Sequence, residues 1–267
     1  MTFEPAQLLT GISLAVIVAL LARLAGSLSW SGAIAASFVG GITFGLGGLL
    51  PAILLLTFFI TSSLLSRIGG IKKRQAASAY EKGGERDHSQ VLANGGMASL
   101  FAFLFALNDE AVWLVGLVGA FASVNADTWS TELGVLARRK PRLITTLKTV
   151  EPGTSGGITL EGTLAGLAGA ALIGIVAGVG KSDGILFLAA TLGGISGARL
   201  DSFLGATVQA IYFCPVCDKQ NERHPTHACG SPTAYLRGWT WLSNDLVNFV
   251  ASIVGSLVSI GIWLILS

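Results

Sequence analysis

Between Leu24 and Ser66 the chain carries no Asp, Glu, Lys or Arg. One membrane-spanning helix takes about 20 mostly apolar residues, so this stretch is long enough for two, with "GLGGLLP" (Gly45–Pro51) as the natural turn between them. The remainder follows suit: 12% of the 267 residues are charged and the mean hydropathy is +0.69, against about 25% charged in an ordinary soluble domain. The 35 glycines fit a bundle of closely approaching membrane helices. The first apolar run follows Glu4 and Pro5 rather than a basic stretch, which is not how a signal peptide is built. The expected fold is all-α and polytopic, one integral membrane domain over 1–267. Eight spans are expected at about 6–25, 32–48, 50–66, 90–107, 112–136, 159–180, 184–207 and 242–265, with a short Cys/His loop (210–232) inserted between the last two.

These spans sort the charges. One side of the membrane receives 15 of the 17 Lys and Arg; Lys181 falls opposite and Arg199 lies within a span. Basic loops stay cytoplasmic, so both termini are expected to face outward. The outer loops "NDE" (Asn108–Glu110) and "KSDG" (Lys181–Gly184) are too short to house a function. The basic inner loop Arg67–Gln90 is mixed with Glu81, Glu85 and Asp87, which argues against nucleic acid. Contact of Lys72–Arg74 with anionic lipid is the simpler expectation.

Ionisable groups in spans are costly and mark function by default. Here they fall at one depth. "NADTWSTELG" (Asn125–Gly134) places Asp127 and Glu132 at the inner end of the fifth span, among Asn125, Thr128 and Thr131. Glu161 opens the sixth span, Arg199 and Asp201 lie near the inner end of the seventh, Asn244 and Asp245 open the eighth, and Asn94 opens the fourth. Carboxylates at close range repel one another, so a cationic partner is needed, and an oxygen-only ligand set suits Mg²⁺. Asp127 and Thr131 share one helix face, with Thr128 and Glu132 on the adjacent one.

The loop "LKTVEPGTSGGITLEG" (Leu147–Gly162) complements that cluster. Gly153, Thr154, Ser155, Gly156 and Gly157 run into a helix start, and with Lys148 they make a natural phosphate cradle. The pattern is not a Walker A loop. Carboxylates holding Mg²⁺ beside amides holding phosphate describe a nucleotide bound through its metal.

All three cysteines and two of the three histidines lie in "CPVCDKQNERHPTHAC". Cys214, Cys217 and Cys229 with one histidine supply the four ligands that structural Zn²⁺ prefers. His227 is the favoured fourth ligand from its H-x-C spacing, with His224 the alternative.

At "RDHSQVLANGG", "NADTWSTELG", "TSGGITLEGTLAG" and "DSFLGATVQ" the chain resembles, over nearly its whole length, an integral membrane family long catalogued as a domain of unknown function, which includes the plant chloroplast phytyl-phosphate kinase. More distantly it is similar to polyprenol kinases and CDP-diacylglycerol synthases. The resemblance implies transfer of a phosphoryl group from CTP, or another nucleoside triphosphate, to an isoprenyl monophosphate such as phytyl or geranylgeranyl phosphate. It implies Mg²⁺ on Asp127 and Glu132, with Asp201 or Asp245, the triphosphate on Lys148 and Pro152–Gly157, and the acceptor phosphate on Arg86 or Arg199. Cytidylyl transfer giving a CDP-lipid and a secondary transporter are the competing readings. The sequence leaves monomer and homodimer both open.

Overall fold

The computed structural model describes residues 5–68 and 85–267; Lys72–Arg74, with their expected lipid contact, lie outside the described residues. Eight helices are described: α1 (Pro5–Leu24), α2 (Trp30–Gly45), α3 (Leu49–Arg67), α4 (His88–Asn108), α5 (Ala111–Gly134), α6 (Leu160–Lys181), α7 (Gly184–Thr207) and α8 (Asn244–Leu266). Each matches one expected span to within a few residues. Six are long and apolar enough to cross a membrane; α2 has only 16 residues, and α7, at 24, carries Arg199 and Asp201 in its polar half. Their starts follow ordinary capping chemistry. The side chains of Ser29, Asp87, Thr159, Asp183 and Ser243 each accept a backbone N–H from the first turn of the helix that follows.

α5 is the axis of the bundle. Its residues Leu114 to Ala126 are all buried, and it packs against α3, α4, α6, α7 and α8. Phe121 lies fully buried against Phe58 of α3, with ring centroids 6.4 Å apart. Glycine permits the tightest approach. A Cβ on Gly194 of α7 would come within 2.8 Å of the Cβ atoms of Ala122 and Ala170, so α5, α6 and α7 meet backbone to backbone there.

A helix buried on every side needs its polar groups satisfied internally. Asn125 meets that demand: its Nδ2 donates to Gly169 O at 2.8 Å, and its Oδ1 accepts from Thr61 Oγ1 at 3.2 Å. Trp129 Nε1 donates to the same Thr61 hydroxyl at 3.2 Å. This network, centred on the fully buried Asn125, ties α3, α5 and α6 together just below the polar end. Asn125, expected to bind nucleotide, is therefore a packing residue.

Two small sheets lie in the connections. β1 (Arg142–Leu143) pairs antiparallel with β2 (Gly157–Ile158) and closes the α5–α6 loop. The α7–α8 insert forms an antiparallel sheet in the order β4 (Lys219–Asn221), β3 (Ile211–Cys214), β5 (Ala234–Arg237), so it runs past the expected limit of residue 232.

Replacing Gly194 with Val is expected to cost on the order of 1–3 kcal/mol through overpacking. Thermal unfolding of the detergent-solubilised protein, followed by tryptophan fluorescence, should show its midpoint lowered by several degrees. An unchanged midpoint would contradict the three-helix contact.

Candidate active site

At one end of the bundle the helix termini surround a cleft of about 480 Å³. The end of α3 gives it Ser63, Ser66 and Arg67, and the end of α5 gives Asp127, Thr128, Ser130, Thr131 and Glu132. The start of α6 gives Thr159, Gly162 and Thr163, α7 gives Arg199, Asp201 and Ser202, and α8 gives Asn244 and Asn248. The loop from Pro152 through Gly157 forms one wall, with Arg86 and Arg139 at its edges. The contributors are the last turns of α3, α5 and α7 and the first turns of α6 and α8, as strict up-and-down alternation requires.

The Pro152–Gly157 loop is shaped by two glycines with φ of 90° (Gly153) and 80° (Gly156). Thr154 N donates to Glu151 O at 3.1 Å and Gly157 N to Thr154 O at 3.0 Å, closing two consecutive tight turns. A Cβ on Gly156 would stand 2.5 Å from Ala206, so the loop lies directly on α7. Ser155 Oγ anchors it further, donating to Gln209 Oε1 at 3.1 Å. The loop ends at Thr159, the cap of α6, whose N-terminus opens on the cleft.

Four arginines (67, 86, 139 and 199) and four carboxylates (Asp127, Glu132, Asp201 and Glu222) line this space, a formal balance of 4 − 4 = 0. The charges are not distributed alike. Arg67 Nη2 is held by Ala25 O at 2.7 Å and Ser27 Oγ at 3.1 Å. Arg86 Nη1 donates to Ser63 Oγ at 3.0 Å; burial pulls its guanidinium below the ordinary arginine value, and Glu132 opposes that pull. Glu132 also accepts from Ser66 Oγ. Glu132 thus belongs with Arg86 and Ser66 on the α3 side, and its expected role as a metal ligand is not what this arrangement favours.

Asp201 is differently placed. Its buried Oδ2 has no hydrogen-bond partner among the described residues, while Asp127 and Glu222 lie close enough to repel it. An unsatisfied buried carboxylate oxygen costs at least about 1–3 kcal/mol, and two further carboxylates add to that cost. A divalent cation removes both penalties, so the donor set fits Mg²⁺. Among the described residues, no three carboxylates bring ligand atoms within 4.8 Å of one another, so this is not a closed cage. Mg²⁺ characteristically takes one or two carboxylates and completes its shell with water and substrate phosphate. An open pair, Asp127 with Asp201, meets that requirement.

Several expected residues stand elsewhere. Lys148 is exposed on the α5–α6 loop away from the cleft, and arginines supply the positive charge instead. Glu161 is exposed on the first turn of α6, whose Gly162 and Thr163 face inward. Asn244 and Asn248, one turn apart, face the cleft, whereas Asp245 between them does not line it. Asn94 borders a separate apolar cavity. Glu222 was not expected at all: it comes from the Cys/His insert, is 9% exposed, and is close enough to Arg237 to counter the effect of burial, which lowers that guanidinium's pKa. Arg237 in turn donates to Gly205 O at 3.0 Å and Thr207 O at 3.2 Å, bolting the insert to the last turn of α7.

The insert holds the second cluster. Ligand atoms of Cys214, Cys217, His227 and Cys229 all lie within 4.8 Å of one another. Cys214 Sγ and Cys229 Sγ are 3.6 Å apart, and His227 Nδ1 is 3.2 Å from Cys229 Sγ. The edge of a tetrahedron with Zn–S bonds of ~2.3 Å is about 3.8 Å, so the four donors have the spacing of a structural zinc site. His224, the alternative ligand, instead stacks on Tyr212 with centroids 4.5 Å apart. Hydrogen bonds from Ser231 and then His227 bring the Cys229 thiol down to about 5, while its hydrogen bond to Cys229 pushes Cys217 up to about 11. One thiolate sharing a neighbour's proton is the arrangement that a metal ion replaces.

The family model described as "Integral membrane protein DUF92" matches residues 13–256. Protein PGR of Arabidopsis thaliana is 36% identical over 259 residues, covering 87% of this chain and 88% of the relative. An uncharacterized membrane protein of Methanocaldococcus jannaschii is 36% identical over 260 residues, covering 96% and 94%. "Protein VTE6, chloroplastic" of Arabidopsis thaliana is 27% identical over 243 residues, covering 87% and 64%. No solved structure matches the chain.

Elemental analysis of the purified protein should find one zinc per chain, and Cys217→Ser should lose it. After chelation, iodoacetamide at pH 7 should alkylate Cys229 well before Cys217, since pH 7 lies above the first pKa of about 5 and below the second of about 11. Zinc-free native protein, or equal alkylation of the two, would contradict this description of the cluster.

Proposed function

We propose that this chain, which belongs to the DUF92 integral membrane family, phosphorylates an isoprenyl monophosphate such as phytyl or geranylgeranyl phosphate, using a nucleoside triphosphate, CTP in the first instance. An acceptor phosphate oxygen bonds to the γ-phosphorus as the bond from γ-phosphorus to the β–γ bridging oxygen breaks. The products are the isoprenyl diphosphate and the nucleoside diphosphate.

The single observation that carries this reading is the make-up of one cleft: an open carboxylate pair, a glycine-rich phosphate loop at a helix N-terminus and four arginines. Two highly charged anions must approach each other for this reaction, and positioning with charge neutralisation does most of the work. Asp127 and Asp201 would hold Mg²⁺, with Glu222 close by; bound there, the ion would supply charge neutralisation for the reacting phosphates. Gly153, Ser155 and Gly156, whose N–H groups are not used in the loop's two turns, and the start of α6 would donate backbone N–H groups to phosphate oxygens. Arg199 and Arg86 take the acceptor phosphate, which is already anionic at neutral pH and needs no dedicated base. The basic end of the bundle carries the cleft, which on the positive-inside rule gives it access to cytosolic nucleotide. A transporter would place its polar groups near the bilayer midplane; here they keep to one end.

Incubating the purified protein with Mg²⁺, CTP or ATP and a panel of prenyl monophosphates should yield prenyl diphosphate and nucleoside diphosphate. Asp201→Asn should lower kcat/KM by at least about a hundredfold, since a bound cation supplies several kcal/mol of transition-state stabilisation, while leaving the thermal unfolding midpoint within a few degrees. Release of diphosphate in place of the nucleoside diphosphate would identify cytidylyl transfer. Turnover unaffected in Asp201→Asn would refute the carboxylate assignment.

A further inference from the structure

A second cavity, of about 320 Å³, lies between α1, α2, α3 and the start of α4. Its wall is apolar apart from Arg86, Gln90 and Asn94, all at one end, and Arg86 and Gln90 also line the polar cleft. The two spaces therefore share a boundary. Along α3 the wall runs from Phe59, beside Arg86, to Leu49 at the opposite end, ten residues or about 15 Å of helix.

Arg86 is built into that boundary. Its backbone is fixed on both sides, with Arg86 N donating to Ser27 O at 3.1 Å and Ser29 N donating to Arg86 O at 3.0 Å. The backbone lies so close to α2 that a Cβ on Gly32 would stand 2.0 Å from Arg86 O. From this fixed point the guanidinium bonds Ser63 in the cleft and lies over the Phe59 ring of the apolar cavity, 5.7 Å from its centroid. One face of the group is turned to an aromatic wall and its N–H groups to the polar cleft, which suits arginine's weak hydration.

We propose that the apolar cavity is the seat of the acceptor lipid's isoprenyl chain, entered from the cleft at Arg86, and that its far end at Phe44 and Leu49 sets the longest chain accepted. This deepens the proposed kinase reading and rests on it for the identity of the head group. A phospholipid tail would suit the apolar wall equally, but its head group would lie at the bilayer surface. The polar end of this cavity instead adjoins, at Arg86 and Gln90, the cleft that holds the carboxylate pair and the glycine-rich loop. An amphiphile with a phosphate at its very end is the occupant that meets both conditions.

Two measurements test this. Geranylgeranyl phosphate bearing a diazirine at its tail end, photolysed with the purified protein in nanodiscs, should label peptides containing Phe44–Ile53. Unlabelled geranylgeranyl phosphate should suppress that label and phosphatidylglycerol should not. Ala52→Phe, which fills the far third of the cavity, should lower the kcat/KM ratio of geranylgeranyl to geranyl phosphate by about tenfold or more, the scale on which a shaped apolar pocket discriminates chain length. Labelling that falls on α6–α8, or that phosphatidylglycerol suppresses equally, overturns the chain site. So does a working kinase whose ratio is unmoved in Ala52→Phe. Competed labelling at Phe44–Ile53 without phosphorylation of any prenyl phosphate would keep the chain site and overturn the kinase reading.

Discussion

Charge inside a membrane bundle has to be answered by charge or by a bound ion, and that constraint organises the polar end of this protein. A buried carboxylate alone would be prohibitively costly. Four carboxylates, set beside four arginines, come together around one cleft because helix ends and connecting loops from different parts of the chain meet there. Some of the balance is internal, as where Glu132 faces Arg86 and Ser66. Some is not: Asp201 keeps a buried oxygen without a hydrogen-bond partner among the described residues, near Asp127 and Glu222. A formally neutral site therefore carries a local excess of negative charge around Asp201.

The rest of the architecture keeps that end in place. α5 is buried along most of its length, so its last turns present Asp127, Thr128 and Thr131 from a rigid support. The Asn125–Thr61–Trp129 network sits directly beneath and fixes the angle between α3 and α5. The Cys/His insert, bolted to α7 through Arg237, closes the cleft from outside the bundle and contributes Glu222. The Cys/His cluster thereby acquires a structural consequence: the fold of the insert determines where the buried carboxylate of Glu222 stands.

Much of this was legible in the sequence, for identifiable reasons. Apolar runs and short polar loops mark membrane helices strongly, so all eight helices lie where the runs do, α2 and α7 included. Asp127, Asp201 and the Gly153–Gly157 loop stood out because polar residues at membrane depth contrast with everything around them. His227 followed from spacing. Several misplacements share a cause: a helix start exposes several residues at the same depth, and depth alone does not say which face turns inward. Glu161 and Asp245 sit at the right level on the wrong face, and Lys148 is on the right loop but directed away. Glu222 was invisible because a glutamate in a polar loop is unremarkable until the loop folds back over the bundle. Arg67 and Arg139 were read as topology signals, which hid their second role.

Asp127 and Asp201, brought from different helices, are proposed to bind a divalent cation together with a nucleotide. Electron paramagnetic resonance of Mn²⁺, titrated with CTP into the zinc-loaded protein in nanodiscs, measures that most directly. Mn²⁺ should bind at one site per chain in the presence of nucleotide. Its binding should weaken at least about tenfold in Asp127→Asn and in Asp201→Asn, but not in Glu161→Gln, whose side chain lies outside the cleft. Mn²⁺ that remains free, or that binds equally well to all three variants, would contradict the shared site.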